Sequence, residues 1–196
     1  MAHVKIDPNK RYSYADYYSW NDDKRYEIIN GVVLDLSPAP STTHQKISIN
    51  LSSELKFFFG KKAKCQVLYA PIDVRIPKSP RIKSDDKIFT VVQPDIIVVC
   101  DPKKLDERGC IGAPDLVVEV LSPATSKRDL KDKYYLYEEA GVREYWLVHP
   151  VDLLLTVFRL GREKKFVLDK IYTYDDKVKV GIFDDLIIDL KDIFEE

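Results

Sequence analysis

The sequence has 196 residues, of which 45% are hydrophobic and 32% charged, with 7 glycines, a composition typical of a folded globular protein rather than a disordered chain. Its net charge of -1 argues against a strongly basic nucleic-acid-binding protein, and no run approaches the ~20 apolar residues of a membrane span. The length fits one domain and no linker composition marks a second, so residues 1–196 are predicted to form a single domain.

The first part of the chain predicts a hairpin followed by a helix. The opening residues MAHVKIDPNK contain no apolar segment of signal-peptide type, which predicts a cytoplasmic location. The segment RYEIINGVVLDLS is predicted to form a β-hairpin, because Asn30-Gly31 supplies the positive φ angles of a two-residue turn. Thr42 followed by Gln45 has the form of a capping box, which predicts a helix over about 43 to 59. Apolar residues recur in it at helical spacing, at Ile47, Leu51, Leu55 and Phe58.

Strands dominate the rest of the chain. Three are predicted from CQVLYAPIDVRI, VVQPDIIVVC and PDLVVEVLS, which are rich in β-branched residues. Thr125 or Ser126 can cap a second helix that ends at Gly141. Its predicted apolar stripe consists of Leu130, Tyr134 and Tyr137. EYWLVHP is the next strand, and LLLTVFRLG, KKFVLDKIYTY and KVKVGIF indicate an antiparallel meander before an acidic tail. This order predicts an α/β fold, an α+β sandwich whose mixed sheet is flanked by helices.

The cysteines give little indication of a covalent framework or a zinc site. Cys65, Cys100 and Cys110 are odd in number and lack C-x-x-C spacing. We therefore expect reduced thiols in or near the core.

Charge is distributed unevenly along the chain. Residues 175–196 carry eight acidic and three basic residues, which leaves the preceding residues with a net charge of +4. Basic clusters occur at Lys61, Lys62 and Lys64, at Lys78, Arg81 and Lys83, and at Lys127, Arg128 and Lys131. Each cluster alone is typical of a solvated surface, and together they are compatible with a polyanionic partner.

Two acidic residues stand where a carboxylate is unusual. Asp95 follows Pro94 at the start of one predicted strand, and Glu119 lies within the apolar run of the next. Neighbouring strands can bring two such carboxylates to one Mg²⁺ ion, which binds hard oxygen ligands. The alternative for Asp95 is a strand-entry residue after proline. For Glu119 it is a salt bridge or an edge position, because a buried charge needs a partner.

A lysine near these acids can position water or stabilise developing negative charge. The strand offers none, since the residue two after Glu119 is Leu121. Lys133 is the best candidate, because it follows Asp129 by four residues and so shares its helix face. The alternative is a surface Asp-Lys pair, while Lys127 and Lys131 fall on other faces.

Other polar residues could line the same cleft. His44 is predicted in the first turn of the first helix, at its buried end, where a purely structural histidine is the alternative. Glu27, in the hairpin, is expected to face either solvent or a cleft. Asp73 alternates with apolar neighbours, a pattern that favours an outward orientation.

The combination of these segments resembles a known family. YEIINGVVLDLSPAPSTTH, VQPDIIVV, GAPDLVVEVLSPAT and EAGVREYWLV together look like the Uma-type restriction endonuclease family, a former domain of unknown function in the PD-(D/E)XK nuclease superfamily. The resemblance covers roughly residues 12 to 190. It implies a restriction-endonuclease-like fold and a phosphodiesterase site that uses Mg²⁺, with Mn²⁺ as an alternative. DNA is the implied substrate, and a homodimer is consistent with cutting both strands.

The resemblance also implies site residues. The PD of the motif matches Pro94-Asp95, the second acid matches Glu119, and the lysine matches Lys133 on the helix instead of the strand. His44 and Glu27 fall on family motif positions. Asp95 and Glu119 would bind the metal, with the main-chain carbonyl of Val120 as a further ligand.

Two departures from the family pattern are Ala124, in place of a serine, and His149, in place of an aspartate.

Two other functions remain open at this point. One is a catalytically silent nucleic-acid-binding protein of the same fold, and the other is a purely structural acid-base cluster.

Overall fold

The computed structural model describes residues 4–21, 24–36, 39–62, 65–183 and 185–195, and of residues 60–62 it describes the backbone alone. The chain divides into two compact units. The first is drawn from residues 1–39, 72–93 and 104–112, and the second from residues 40–71, 94–103 and 113–196. The single-domain organisation stays a prediction.

The described helices, in chain order, are α1 (Tyr14–Tyr18), α2 (Thr42–Lys62), α3 (Tyr134–Ala140) and α4 (Leu190–Phe194). The described strands of the first half are β1 (Tyr26–Ile29), β2 (Val32–Asp35), β3 (Gln66–Tyr69), β4 (Val74–Arg75), β5 (Val91–Val92) and β6 (Ile96–Val99). Those of the second half are β7 (Leu105–Asp106), β8 (Gly109–Ile111), β9 (Leu116–Val120), β10 (Glu144–His149), β11 (Leu154–Leu160), β12 (Phe166–Tyr172), β13 (Lys177–Lys179) and β14 (Ile187–Asp189). Short 3-10 turns cover Asp85–Lys87 and Pro102–Lys104, and a π-helical turn covers Arg128–Lys133. None of the described helices is long and apolar enough to cross a bilayer.

The first unit contains a mixed sheet of order β2-β1-β5-β4-β8-β7, in which β4 and β8 run parallel. The predicted hairpin is confirmed as β1 and β2, which pair antiparallel. Its turn residues Asn30 and Gly31 have φ angles of 51° and 82°, as a two-residue hairpin turn requires. The core of this unit is formed by Tyr12, Tyr14, Ile28, Ile88 and Val91.

The second unit contains a mixed sheet of order β12-β11-β10-β9-β6-β3. The strands β9 and β10 are parallel and the other neighbours are antiparallel, so the predicted α/β fold with a mixed sheet is observed. Both β6 and β9 are buried along their whole length. The π-helical turn and α3 form the crossover that a parallel pair needs.

Helix α2 packs its apolar face on this sheet. Its buried residues Ile47, Leu51, Leu55 and Phe59 belong to one core cluster with residues of β6, β9 and β10. The helix begins at Thr42 and its first turn is capped by Ser41, whose Oγ accepts a hydrogen bond from the N–H of His44 at 3.2 Å. The predicted helix is thus confirmed, but the cap comes one residue earlier than the Thr42 capping box.

The second predicted helix exists but begins as a π-helical turn. It ends as expected at Gly141, whose φ of 88° is the left-handed conformation that glycine adopts readily. The predicted stripe is wrong at Leu130, which is 50% exposed. The wider π turn instead directs Asp129 and Lys133 inward, in line with Tyr137 of α3.

Prolines divide two of the predicted strands between different sheets. CQVLYAPIDVRI is interrupted at Pro71 and supplies β3 to one sheet and β4 to the other, and VVQPDIIVVC is interrupted at Pro94 and supplies β5 and β6. Proline has no N–H to donate to a sheet ladder, so a strand ends where it occurs. The predicted meander is confirmed for β11 and β12, which pair antiparallel, whereas KVKVGIF supplies β13, which pairs with β14 of the acidic tail.

The expectation of reduced thiols is wrong for two of the three cysteines. Cys65 and Cys100 form a disulfide with a Cα–Cα distance of 3.9 Å, while Cys110 is buried and not disulfide-bonded. The cause is the antiparallel register of β3 and β6, which pairs Gln66 with Val99. Cys65 precedes Gln66 and Cys100 follows Val99, so the two cysteines lie opposite each other.

Reduction of this disulfide is expected to lower the free energy of unfolding by about 3 to 4 kcal/mol, because the bond closes a loop of 35 residues in the unfolded chain. Guanidinium unfolding with and without dithiothreitol measures the effect. The free energy of unfolding of the Cys110→Ala protein should still fall when reductant is added, whereas that of the Cys65→Ala protein should not change with reductant. Three reactive thiols in the denatured, unreduced protein would contradict the disulfide.

Candidate functional site

The two predicted metal-binding acids lie on neighbouring strands of the second unit. The antiparallel register of β6 and β9 pairs Ile96 with Val118, and its continuation by one residue places Asp95 opposite Glu119. Val120, the residue after Glu119, donates its main-chain N–H to Asp95 Oδ2 at 2.7 Å. The sheet register therefore brings Asp95 to the end of β9 that carries Glu119, 24 residues later in the sequence.

Glu119 accepts hydrogen bonds from two side chains of the crossover that follows its strand. The Nζ of Lys133 donates to Glu119 Oε1 at 2.9 Å, and the hydroxyl of Tyr137 donates to the same oxygen at 2.8 Å. Glu119 and Lys133 are each only 3% exposed, so the pair is shielded from solvent. Of the alternatives for Glu119, the salt bridge is the one observed. Lys133 is correspondingly not part of a surface pair.

The π-helical turn adds a second carboxylate to this buried group. Asp129 is 2% exposed and its Oδ1 lies 3.5 Å from Lys133 Nζ. Its main-chain carbonyl accepts a hydrogen bond from the hydroxyl of Tyr145 on β10 at 3.0 Å. π turns are rare and occur often at functional sites. This one fixes Lys133 between two carboxylates.

Asp95 is held by the start of α2 and by β9. Its Oδ2 accepts from the main-chain N–H of Val120 at 2.7 Å and lies 3.2 Å from His44 Nε2. Burial lowers the pKa of His44, but hydrogen bonding and Coulombic attraction to Asp95, together with the main-chain carbonyl of Val120, outweigh it, so the pKa lies above its usual value. His44 is thus positioned beside Asp95, as the sequence suggested.

The donor chemistry around Asp95 and Glu119 fits a hard divalent cation. Both side chains offer carboxylate oxygens, and the Val120 carbonyl is directed to the same region through its interaction with His44. Among the described residues, no three His, Cys, Asp or Glu side chains cluster closely enough to hold a metal ion by themselves. Proteins hold Mg²⁺ with one or two carboxylates completed by water and substrate phosphate.

The remaining two acids belong to the first unit. Glu27 is fully buried, and its carboxylate accepts from the main-chain N–H of Gln93 at 2.9 Å. Asp73 is partly buried and accepts from the hydroxyl of Tyr14 at 3.1 Å and from the Gln93 amide at 2.9 Å. Burial raises the pKa of Asp73. An outward, solvated Asp73 is therefore wrong, and a role for Glu27 in the site stays a prediction.

One residue of the site escaped the sequence. Tyr145 has no signal of its own, because its contact with Asp129 depends on the pairing of β10 with β9. The chain also contains a second PD pattern, Pro114-Asp115. In the structure Asp115 accepts from the main-chain N–H of Cys100 at 2.8 Å and pairs with Arg143 at 3.3 Å. It lies at the start of β9, whereas Glu119 lies near its end.

Comparison with known proteins assigns the chain to a family. Residues 14–190 match the Uma2 family, described as "Putative restriction endonuclease". An uncharacterized protein of Synechocystis sp. is 27% identical over 161 residues, which cover 81% of this chain and 79% of that protein. The chain therefore belongs to the Uma2 family.

A solved structure shows the same fold. The crystal structure of "a putative nuclease belonging to DUF820" from Anabaena variabilis superimposes with a TM-score of 0.71, over 93% of this chain and 97% of that one, at 20% identity. The mixed α/β fold with two mixed sheets is thus shared with that protein.

Proposed function

We propose that this protein is a Mg²⁺-dependent endonuclease that hydrolyses phosphodiester bonds of DNA. The observation that carries the proposal is the buried Glu119–Lys133 pair, with Asp95 opposite Glu119 on the next strand. Membership of a family described as "Putative restriction endonuclease" supports it. A cation and two carboxylates so placed form the acid-acid-lysine set of the PD-(D/E)XK pattern.

Asp95 and Glu119, with the Val120 carbonyl, are the residues that would hold Mg²⁺ or Mn²⁺. When bound, such an ion supplies a more acidic water molecule and neutralises charge on the phosphoryl group. His44 keeps the Asp95 carboxylate in place through the 3.2 Å contact, and the Val120 N–H fixes the same oxygen. These contacts leave the Asp95 side chain 19% exposed, and thus accessible to a ligand.

Lys133 is proposed to orient the attacking water and to stabilise negative charge on the phosphate. Its Nζ has three donors, and Glu119 and Asp129 hold it in a fixed position. Tyr137, on α3 directly after the π-helical turn, holds Glu119 in place by donating a hydrogen bond to it. Glu27 stays a candidate on the family resemblance alone.

DNA binding is proposed to use exposed cations. Lys127 and Lys131, on the crossover that carries Lys133, are exposed, as are Lys78, Arg81 and Lys83 in the first unit. The side chains of Lys61, Lys62 and Lys64 lie outside the described residues. Phosphate contacts release counterions, so affinity for DNA should fall steeply with salt. Cutting both strands is consistent with a homodimer.

A cleavage assay on plasmid, linear and single-stranded DNA, with Mg²⁺, Mn²⁺ or EDTA, tests the proposed activity. Asp95→Asn should lose metal-dependent cleavage, because the neutral amide is a poorer metal ligand. Asp115→Asn is the matched control, since Asp115 also follows a proline at the start of a strand and should be dispensable for cleavage. Cleavage that survives in pure Asp95→Asn protein would remove Asp95 from the site.

A catalytically silent nucleic-acid-binding protein is the second candidate. It is favoured by one observation, that the ammonium of Lys133, 2.9 Å from Glu119 Oε1, already compensates the charge of this carboxylate. Titration calorimetry with Mg²⁺ in the presence of uncleavable DNA separates the two functions. Binding of DNA without a magnesium site would favour the silent protein.

A further inference from the structure

A groove runs between α2 and β3 in the second unit. Its cavity has a volume of about 550 Å³, within the range of about 300–1,000 Å³ that is usual for ligand sites. One wall is α2 and the other is β3, the edge strand of the second unit's sheet. Its lining residues include Gln45, Ser48, Ile49, Lys56, Phe57 and Tyr69.

The groove carries large apolar side chains that the fold leaves in solvent. Ile49 is 64% exposed, Phe57 65% and Tyr69 68%. Single exposed apolar residues are ordinary, but three around one concave surface are typical of a binding site. Two of them, Phe57 and Tyr69, are aromatic.

Both walls connect directly to the proposed catalytic carboxylate Asp95. On α2, Ser48 Oγ lies 3.4 Å from Nδ1 of His44, the histidine that contacts Asp95. On β3, Tyr69 is followed by Ala70, whose N–H donates to the main-chain carbonyl of Asp95 at 2.9 Å. A ligand in the groove would therefore extend towards the site of hydrolysis.

The chemistry of the groove favours one class of ligand. Among its described lining residues the charged one is Lys56, a cation, and the others offer hydroxyl, amide, aliphatic and aromatic groups. Aromatic faces stack unpaired bases, and lysine binds phosphate. A duplex keeps its base faces covered by stacking, so a groove of this kind suits a single strand.

We propose that this groove binds single-stranded nucleic acid, with bases stacked on Tyr69 and Phe57 and a phosphate near Lys56, and directs the strand towards Asp95. The inference rests on the proposed nuclease function and defines the form of its substrate. An edge strand beside an apolar helix face could instead pair with a second copy of the chain. That alternative is an outcome of the test.

Fluorescence anisotropy with a labelled twelve-residue oligothymidylate in EDTA measures binding without cleavage. Tyr69→Ala and Phe57→Ala should each weaken the affinity roughly 5- to 100-fold, as loss of one stacked base does. Lys56→Ala should lower the salt dependence by roughly one phosphate contact. Tyr135→Ala is the matched control, because Tyr135 is 61% exposed outside the groove and should bind as the wild type does. Circular dichroism verifies that the variants fold.

An unchanged affinity in the Phe57→Ala/Tyr69→Ala double variant would overturn the proposal. If the same variant turned a dimer into a monomer in sedimentation experiments with its affinity unchanged, the groove would be an interface between copies. The binding experiment and the cleavage assay can fail independently of each other. Asp95→Asn should still bind the oligonucleotide, so a protein that binds in the groove but never cleaves would contradict the nuclease function alone.

Discussion

Replacing Glu119 by glutamine is expected to abolish magnesium-dependent cleavage of DNA. The substitution keeps the shape of the side chain and an acceptor for Tyr137, but it removes the charge that a metal ion and Lys133 both require. It also leaves the Lys133 ammonium, 3% exposed, without its nearest carboxylate. Breaking a buried pair costs about 3–5 kcal/mol, and Asp129, 3.5 Å from Nζ, should reduce this loss. Cleavage rates and urea unfolding curves measure the two effects.

A control separates loss of catalysis from loss of stability. Glu138→Gln changes another buried glutamate of the second unit, one that accepts from Lys165 at 2.7 Å and from the main-chain N–H of Phe166 at 2.7 Å. It should destabilise the protein without removing cleavage at temperatures well below unfolding. The double variant Glu119→Gln/Lys133→Met should recover stability and remain inactive. A folded Glu119→Gln protein that cleaves at the wild-type rate would remove Glu119 from the site.

Replacing Lys133 by methionine is expected to reduce the rate of cleavage by roughly 100- to 1,000-fold, the usual effect of removing one electrostatic donor from an active site. Methionine preserves much of the apolar stem in this buried position. Affinity for Mg²⁺ should be retained or increased, because Nζ no longer competes for Glu119 Oε1 at 2.9 Å. Single-turnover kinetics at saturating metal and calorimetric titration with Mg²⁺ measure these quantities separately.

Lys131→Met is the matched control for this prediction. Lys131 lies on the same π-helical turn but is exposed, so its loss should alter DNA affinity at most and leave the chemical step unchanged. A Lys133→Met protein that keeps both its rate and its metal affinity would make the buried pair a structural element alone.

The sequence predicted the parts of the fold that depend on local patterns. Asn30-Gly31 predicted the hairpin turn, and apolar spacing predicted α2. The position of Glu119 within an apolar strand predicted a buried, partnered carboxylate, and the observed contacts with Lys133 and Tyr137 agree with this. A local signal was sufficient in each case, because the turn, the helix and the burial of Glu119 each depend on residues that are close together in the sequence.

The features that the sequence did not predict depend on register between distant segments. The Cys65–Cys100 disulfide follows from the pairing of β3 with β6, which cysteine spacing does not reveal. The placement of β3 and β4, and of β5 and β6, in different sheets depends on where Pro71 and Pro94 interrupt the strands. The exposure of Leu130 follows from a π turn, a rare conformation that helical spacing rules do not anticipate.

The position of the buried lysine has a consequence for how such sites are recognised. Position 121, two residues after Glu119, holds leucine, whose N–H donates to the carbonyl of Val148 at 2.9 Å and so continues the parallel pairing of the sheet. The cation is supplied instead by the crossover, a segment that can change in length and sequence without disturbing the strand. A search for a lysine two residues after the strand acid passes over the Glu119 site, whereas a search for an ammonium near the strand carboxylate finds it.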